Sequence, residues 1–270
     1  MLGTWKGDAN MEQNMICEMI LQNAMVLYGQ PKWTFGKNSC NTYEVFAQYF
    51  RMEQGNLLPA WPILEIIERD DAMTMLFSTS LLWQAVRRTQ EISERANAHL
   101  TLSLNLLPRF AESANFVQQV ANCLEETGFD PKRLQFEVSE LQELSENGAA
   151  NLNRLHDELG VGLLMGNFGT RHTNVPLLYQ VHFDGLELDR SLSAQIPGNE
   201  AACKIAIAIQ HMAHTMDMYL CAKGIDTQEQ FEFFEEISAF KGQGSLIGSP
   251  MSLEELEDYV RRYALPVGHA

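Results

Sequence analysis

The chain has 270 residues, of which 46% are hydrophobic and 20% charged, with a formal net charge of −16. This composition supports a sizeable core and excludes an intrinsically disordered chain. The negative charge disfavours binding to nucleic-acid polymers and anionic membrane surfaces. Residues 72–86 form the longest uncharged stretch of the first half, and they are too few for a membrane span, which needs roughly 20 apolar residues.

The ends and the cysteines point to a reduced, cytoplasmic setting. Residues 1–13 include Asp8 and Glu12 and contain no apolar stretch typical of a signal peptide. The five cysteines are odd in number and form no Cys-x-x-Cys pair. We therefore expect neither a disulfide framework nor a structural zinc site.

Short apolar or alternating segments recur along the chain, and helical patterns separate most of them. Strands are predicted at residues 24–29, 43–50, 99–105, 134–140, 161–165, 185–189 and 219–222, with a weak strand at 239–243. Helices are predicted at residues 79–98 and 113–127, up to 159–160, at 201–215, from 227 onward and at 252–259. About eight strands interleaved with helices favour an α/β fold of the (β/α) barrel type over an open sheet.

The domain organisation follows from the absence of a Pro-rich or Gly-rich linker, which favours one domain. We predict an N-terminal lead-in helix or extension at residues 1–22, a barrel domain at 23–264 and a C-terminal tail at 265–270.

Polar and glycine residues mark the predicted carboxyl ends of the strands, where barrels of this kind build their sites. They are Glu44, Asn105, Glu137, Gly166, Asn167, Glu187, Asp189, Lys223 and Gln243.

Eight short motifs in chain order carry a family resemblance. They lie at residues 28–31, 44–46, 103–106, 137–140, 168–170, 187–190, 223–227 and 243–244. As an ordered set they resemble the EAL family, bacterial phosphodiesterases of the second messenger cyclic di-GMP. The resemblance implies a modified TIM (β/α)8 barrel whose first strand is antiparallel, with cyclic di-GMP lying across its carboxyl face.

The chain departs from the family where the family holds catalytic metal ions. Gly166 and Asn167 replace an adjacent Asp pair, Glu187 replaces a Lys and Lys223 replaces a Glu. We predict that Glu187 and Lys223 form an ion pair of reversed polarity, and that the chain has no catalytic residues, no metal and no cofactor. Reversing these four replacements together is expected to recover metal binding.

Nucleotide binding is a separate question. The resemblance implies a ligand-binding set of Gln30, Glu44, Phe46, Gln48, Asn105, Glu137, Arg171, Asp189 and Gln243. Gln48 stands where the family has a phosphate-binding arginine, and Ser249 stands where it has the arginine before the closing proline. Neutral side chains are weaker phosphate partners. Arg171 replaces a glycine, so it either supplies a phosphate contact or fills the cleft.

The sequence therefore predicts a catalytically inactive EAL-type regulatory domain that binds cyclic di-GMP and relays to an unidentified protein partner. Two alternatives are a protein-interaction module that no longer admits the nucleotide and a weak phosphodiesterase. The acidic residues between 226 and 258 predict a solvated helix face, with a docking face for a basic partner as the alternative. His211 and His214 have a spacing that zinc can use, but no Cys or acid nearby in sequence supports a site.

Overall fold

The strands alternate with helices along most of the chain. The computed structural model describes residues 9–52, 55–139, 144–170 and 175–267. The strands are β1 Met25–Thr34, β2 Ser39–Arg51, β3 Leu57–Pro59, β4 Thr101–Leu106, β5 Leu134–Val138, β6 Gly162–Phe168, β7 Gly185–Leu188, β8 Tyr219–Lys223, β9 Lys241–Gln243 and β10 Met251–Ser252. The helices are α1 Ala9–Leu21, α2 Ala60–Ile67, α3 Asp71–Ala96, α4 Pro108–Ala111, α5 Phe116–Thr127, α6 Glu146–Leu159, α7 Arg190–Ser193, α8 Glu200–Thr215, α9 Gln228–Glu236 and α10 Leu253–Tyr263.

Eight of the strands close into a barrel. β2, β4, β5, β6, β7, β8 and β9 pair in parallel in that order. β1 closes the ring by pairing antiparallel with both β2 and β9. β3 and β10 are short additions to β2 and β1. The predicted barrel with an antiparallel first strand is therefore confirmed.

The helices begin and end at residues that sequence reasoning can identify. The Thr227 and Ser252 side chains cap α9 and α10 in reciprocal capping boxes with Gln230 and Glu255. Gly128 ends α5, as predicted, in the left-handed conformation that glycine adopts without a Cβ penalty. Among the described residues, none of the helices combines the length and hydropathy that a membrane span requires.

Several predicted boundaries are wrong, for local physical reasons. β1 continues beyond Gly29 to Thr34, because its residues after Gly29 pair with β2 and β9, and the missing Cβ of Gly29 leaves room for the Leu256 side chain of α10. α3 begins at Asp71 and not near residue 79, because the Asp70 side chain accepts a hydrogen bond from the Met73 amide. The sequence did not predict α2, which tolerates Pro62 in its first turn.

Three further segments differ in extent. β6 runs to Phe168 and so includes residues 166 and 167, β9 begins at Lys241, and α10 continues to Tyr263. β5 ends at Val138, and residue 140 of the predicted strand lies outside the described residues.

The Gln243-Gly244 motif has a steric reason within the barrel. A Cβ added to Gly244 would overlap the backbone nitrogen and carbonyl carbon of Ile225. We expect Gly244→Ala to destabilise the protein by about 2–3 kcal/mol, measured by urea unfolding, because backbone must move to relieve the overlap. Gly198→Ala is the matched control, since its nearest neighbour outside the adjacent residues, the Gln195 carbonyl oxygen, is 3.8 Å away. Equal losses in the two variants would contradict this account.

Candidate functional site

A buried lysine spans the interior of the barrel. The Lys32 ammonium on β1 lies 2.6 Å from Glu137 Oε1 and 2.8 Å from Glu187 Oε1. β1 is not a neighbour of β5 or β7 in the sheet. These contacts therefore cross the barrel interior and connect β1 to β5 and β7.

A second lysine lies among the same carboxylates. The Lys223 ammonium is 2.8 Å from Glu137 Oε2, 2.8 Å from Glu187 Oε2 and 3.4 Å from Glu44 Oε2. Its contact with Glu187 is a close ion pair whose angle does not meet hydrogen-bond geometry, whereas its contact with Glu137 does. The predicted Glu187–Lys223 pair is confirmed, and it belongs to a larger cluster.

Neutral side chains hold the carboxylates in place. Asn105 donates to Glu44 Oε1 at 2.5 Å, and Gln243 donates to Glu44 Oε2 at 3.0 Å. Ser103 donates to Glu137 Oε1 at 2.6 Å. Each of these residues lies on a different strand from its partner, so the barrel itself sets the geometry.

We call this group the barrel-centre cluster, and it has three carboxylates and two ammonium groups. Its members are Lys32, Glu44, Ser103, Asn105, Glu137, Glu187, Lys223 and Gln243. The side chains of Lys32, Glu137 and Glu187 are fully buried, whereas that of Lys223 is 22% exposed. The cluster is thus shielded from solvent at Lys32, Glu137 and Glu187, and it is open to solvent at Lys223 and at exposed Asn105.

Burial and charge act in opposite directions on these groups. Burial alone would raise the pKa of Glu137, but Lys223 and Lys32 hold that pKa well below its usual range. Burial would lower the pKa of Lys32 and of Lys223, but the surrounding carboxylates raise both well above the usual value. Burial and the nearby Glu137 carboxylate raise the pKa of Glu187. Both lysines therefore stay charged at neutral pH.

Gly166 and Asn167, which stand where the family has an Asp pair, lie on β6 between the strands that carry Glu137 and Glu187. A Cβ on Gly166 would meet the Ser139 hydroxyl, so Ser139 lies close to the space that a side chain at this position needs. Asn167 has a positive φ of 52°, a conformation that Asn and Asp tolerate better than most residues. Neither residue supplies the carboxylate that the resemblance implies at its position.

The other predicted ligand residues lie outside the barrel-centre cluster. The Gln30 side chain donates to the Gly248 carbonyl at 3.0 Å. Phe46 is half-buried on β2, and Gln48, also half-buried, lies at a β-bulge between Ala47 and Tyr49.

Of the last two predicted ligand residues, the structure describes Asp189 but not Arg171. Asp189 caps α7 by accepting a hydrogen bond from the Ser191 amide. Arg171 lies outside the described residues.

Sequence reasoning missed Lys32 and Ser103 as members of the cluster. The predicted first strand ended at Gly29, so Lys32 was not assigned to a strand. The available signal was an isolated cation between Pro31 and Trp33 in an otherwise uncharged segment. Ser103 alternates with Asn105 along β4, so period two places both on one face.

Lys241, also missed, is buried with no ion pair among the described residues. Its ammonium lies 5.2 Å from the Tyr219 ring centroid and 5.8 Å from that of Phe240. Burial lowers the pKa of Lys241 to about 8. Below pH 8 the folded state must bury a charge that the unfolded chain exposes to water, and this penalty fades as pH rises toward 10.5.

We expect Lys241→Met to raise the free energy of unfolding by about 2 kcal/mol at pH 7, after allowance for the lost ring contacts. This gain should shrink by about 2 kcal/mol between pH 7 and pH 9.5, because wild-type Lys241 loses its proton in the folded state over that interval. Urea unfolding of both proteins at the two pH values measures the difference, so effects of other titrating groups cancel. A gain in the free energy of unfolding that does not change with pH would contradict the lowered pKa of Lys241.

The family model described as EAL domain matches residues 13–250. Together with the barrel, whose first strand is antiparallel, this match shows that the chain belongs to the EAL domain family. The chain is 27% identical over 248 residues to the cyclic di-GMP phosphodiesterase NbdA of Pseudomonas aeruginosa, covering 91% of this chain and 31% of NbdA. It is 24% identical over 234 residues to the cyclic di-GMP phosphodiesterase RocR of the same species, covering 86% and 59%. The chain thus spans less than two-thirds of these relatives.

Solved structures share the fold. The PaMucR phosphodiesterase in complex with cyclic di-GMP superposes with a TM-score of 0.80 at 22% identity, covering 91% of this chain and 99% of that one. The FimX EAL domain of Xanthomonas citri in complex with cyclic di-GMP superposes with a TM-score of 0.77 at 16% identity, covering 90% and 94%.

Proposed function

We propose that this chain is a catalytically inactive EAL domain that binds cyclic di-GMP in the cytoplasm without hydrolysing it and passes the bound state to a protein partner. The observation that carries the proposal is the position of the Lys223 ammonium, within 3.4 Å of Glu44, Glu137 and Glu187. Relatives named as cyclic di-GMP phosphodiesterases support the ligand class.

The donor set does not fit a divalent metal ion. Mg²⁺ and similar ions require oxygen ligands, usually carboxylates. Here each of the three carboxylates already contacts an ammonium group, and Gly166 has no side chain to offer. An ammonium about 4 Å from an arriving cation opposes it by about 4 kcal/mol per unit charge at an effective dielectric near 20. We therefore expect no metal-assisted hydrolysis at this site.

Nucleotide binding does not require the metal. Lys223 is partly exposed at the mouth of the barrel, whereas Lys32 is fully buried, so Lys223 is the ammonium group of the barrel-centre cluster that a ligand can approach. Half-buried Phe46 offers an apolar surface on β2 near the same end. Complexes of similar folds with cyclic di-GMP support this ligand class.

Gln48 limits the affinity, because a neutral amide replaces the arginine of the family motif. We expect Gln48→Arg to tighten cyclic di-GMP binding by about tenfold, since charge-assisted bidentate contacts to phosphate are stronger than neutral ones. The exposed Gln118→Arg variant on α5 carries the same added charge away from the mouth and is the control. Equal gains in both variants would show a non-specific charge effect.

Calorimetric titration with cyclic di-GMP, with and without Mg²⁺, tests the proposal. We expect micromolar binding that is the same in both conditions, with no product formed. Binding that requires Mg²⁺ would overturn the metal-independent assignment. No heat at a high concentration of cyclic di-GMP would overturn the proposed nucleotide binding and support the alternative of a protein-interaction module.

A further inference from the structure

A cluster of histidines and aspartates lies at the opposite end of the barrel from the barrel-centre cluster. His156 and Asp157 are in the last turn of α6, and His182 lies in the segment that leads into β7. Because α6 runs back across the barrel, this is the face where the parallel strands begin. The proposed function does not use these residues.

Three ligand atoms converge at this cluster. Asp157 Oδ1 is 2.8 Å from His156 Nδ1 and 2.9 Å from His182 Nδ1. One nitrogen or oxygen of each residue lies within 4.8 Å of the others. A tetrahedral zinc ion with bonds of about 2.0–2.1 Å requires ligand atoms roughly 3.3 Å apart. A small outward adjustment of these side chains would therefore place a metal ion between them.

The surroundings orient the ligands as metal-binding histidines require. His156 Nε2 is 3.3 Å from Asp184 Oδ1, so its second nitrogen faces a carboxylate while Nδ1 faces the proposed ion. Asp184 is itself fixed by the Leu163 amide at 2.8 Å. Such carboxylate–histidine–metal arrangements set the tautomer and orientation of the imidazole.

The backbone on both sides is also anchored. Asn153 on α6 accepts a hydrogen bond from the His182 amide at 3.0 Å and donates to the Gln180 carbonyl at 2.8 Å. The carbonyl end of α6 carries partial negative charge, which favours a cation near its last turn. Two segments far apart in sequence thus present ligands from fixed positions.

We propose that His156 Nδ1, the Asp157 carboxylate and His182 Nδ1 bind one divalent transition-metal ion of the zinc class, with water in the remaining position. Imidazole nitrogens select zinc-class ions over Mg²⁺. The bound ion joins α6 to the segment before β7 and stabilises this face of the barrel. The site is separate from the barrel-centre cluster, so its failure and that of the proposed function are distinguishable.

Calorimetric titration of the untagged protein with Zn²⁺ tests the site. We expect one equivalent to bind, and an excess of Mg²⁺ not to displace it. His156→Ala and His182→Ala should each weaken binding by more than about tenfold, and Asp184→Asn by about 10–100-fold through loss of orientation. Circular dichroism checks that each variant is folded.

His211 and His214 on α8 provide the matched control, since both are exposed and contact no carboxylate in the described structure. The His211→Ala/His214→Ala variant should bind Zn²⁺ as wild type does, and a tetrahedral Co²⁺ spectrum should appear in both. Unchanged binding in His156→Ala and His182→Ala, or no stoichiometric binding by wild type, would overturn the proposal and leave a hydrogen-bonded ion-pair cluster only.

Discussion

Replacing Lys32 by methionine is expected to destabilise the protein by about 3–5 kcal/mol, measured by urea unfolding at neutral pH. Methionine keeps most of the side-chain volume but removes the ammonium that contacts Glu137 and Glu187. Both carboxylates are fully buried, so water cannot replace the lost partner. Lys223 still contacts both carboxylates but carries only one positive charge, so the excess negative charge in the barrel interior is the physical reason for the size of the effect.

Two controls separate this effect from the removal of a lysine as such. Lys204→Met removes one member of an exposed pair with Glu200 on α8 and should cost less than about 0.5 kcal/mol. The Lys32→Met/Glu187→Gln double variant, which lowers the unpaired charge, should recover at least half of the loss. A loss below about 1 kcal/mol in Lys32→Met would contradict a strongly coupled barrel-centre cluster.

Rebuilding the metal site is expected to need five substitutions rather than four. Gly166→Asp, Asn167→Asp, Glu187→Lys and Lys223→Glu reverse the departures from the family, but Lys32 would remain. Its ammonium is 2.8 Å from the present Glu187 carboxylate, so a lysine at position 187 would meet a like charge. Adding Lys32→Met removes that conflict.

We expect the fivefold variant to bind Mg²⁺ or Mn²⁺ and to gain metal-dependent cleavage of cyclic di-GMP, measured by calorimetry and by product analysis. The fourfold variant that retains Lys32 is the control and should bind metal at least tenfold more weakly. Ser139 must rotate to admit a side chain at position 166, which a serine hydroxyl does at little cost. Equal metal binding in the two variants would show that Lys32 does not govern the site.

The regular part of the fold follows from local sequence signals. Period-two alternation from Thr101 and the buried run before Phe168 identify strands, while Gly128 and Thr227 mark helix ends. Closure of the barrel is a non-local property, because β1 reaches β9 across most of the chain. The number of strands favoured a closed barrel, but the antiparallel first strand that closes it was predicted only through the resemblance.

Contacts of the site between neighbouring strands were predicted from the sequence, whereas contacts between distant strands were missed. Glu187 and Lys223 lie on adjacent strands, so their pairing could be predicted from strand order. Lys32 reaches Glu137 from a strand that is not its neighbour, and neither alternation nor spacing reveals such a contact. Burial of Lys241 against the Tyr219 ring is equally invisible in a three-residue strand.

We propose that the Lys32 and Lys223 ammonium groups take the place of catalytic metal in this EAL domain. This proposal is tested by incubating the unmodified protein with cyclic di-GMP and Mg²⁺ or Mn²⁺ and measuring the linear product by chromatography. We predict no cleavage above the protein-free background in either metal. Metal-dependent cleavage that is proportional to protein concentration and abolished by Glu137→Gln would contradict the claim.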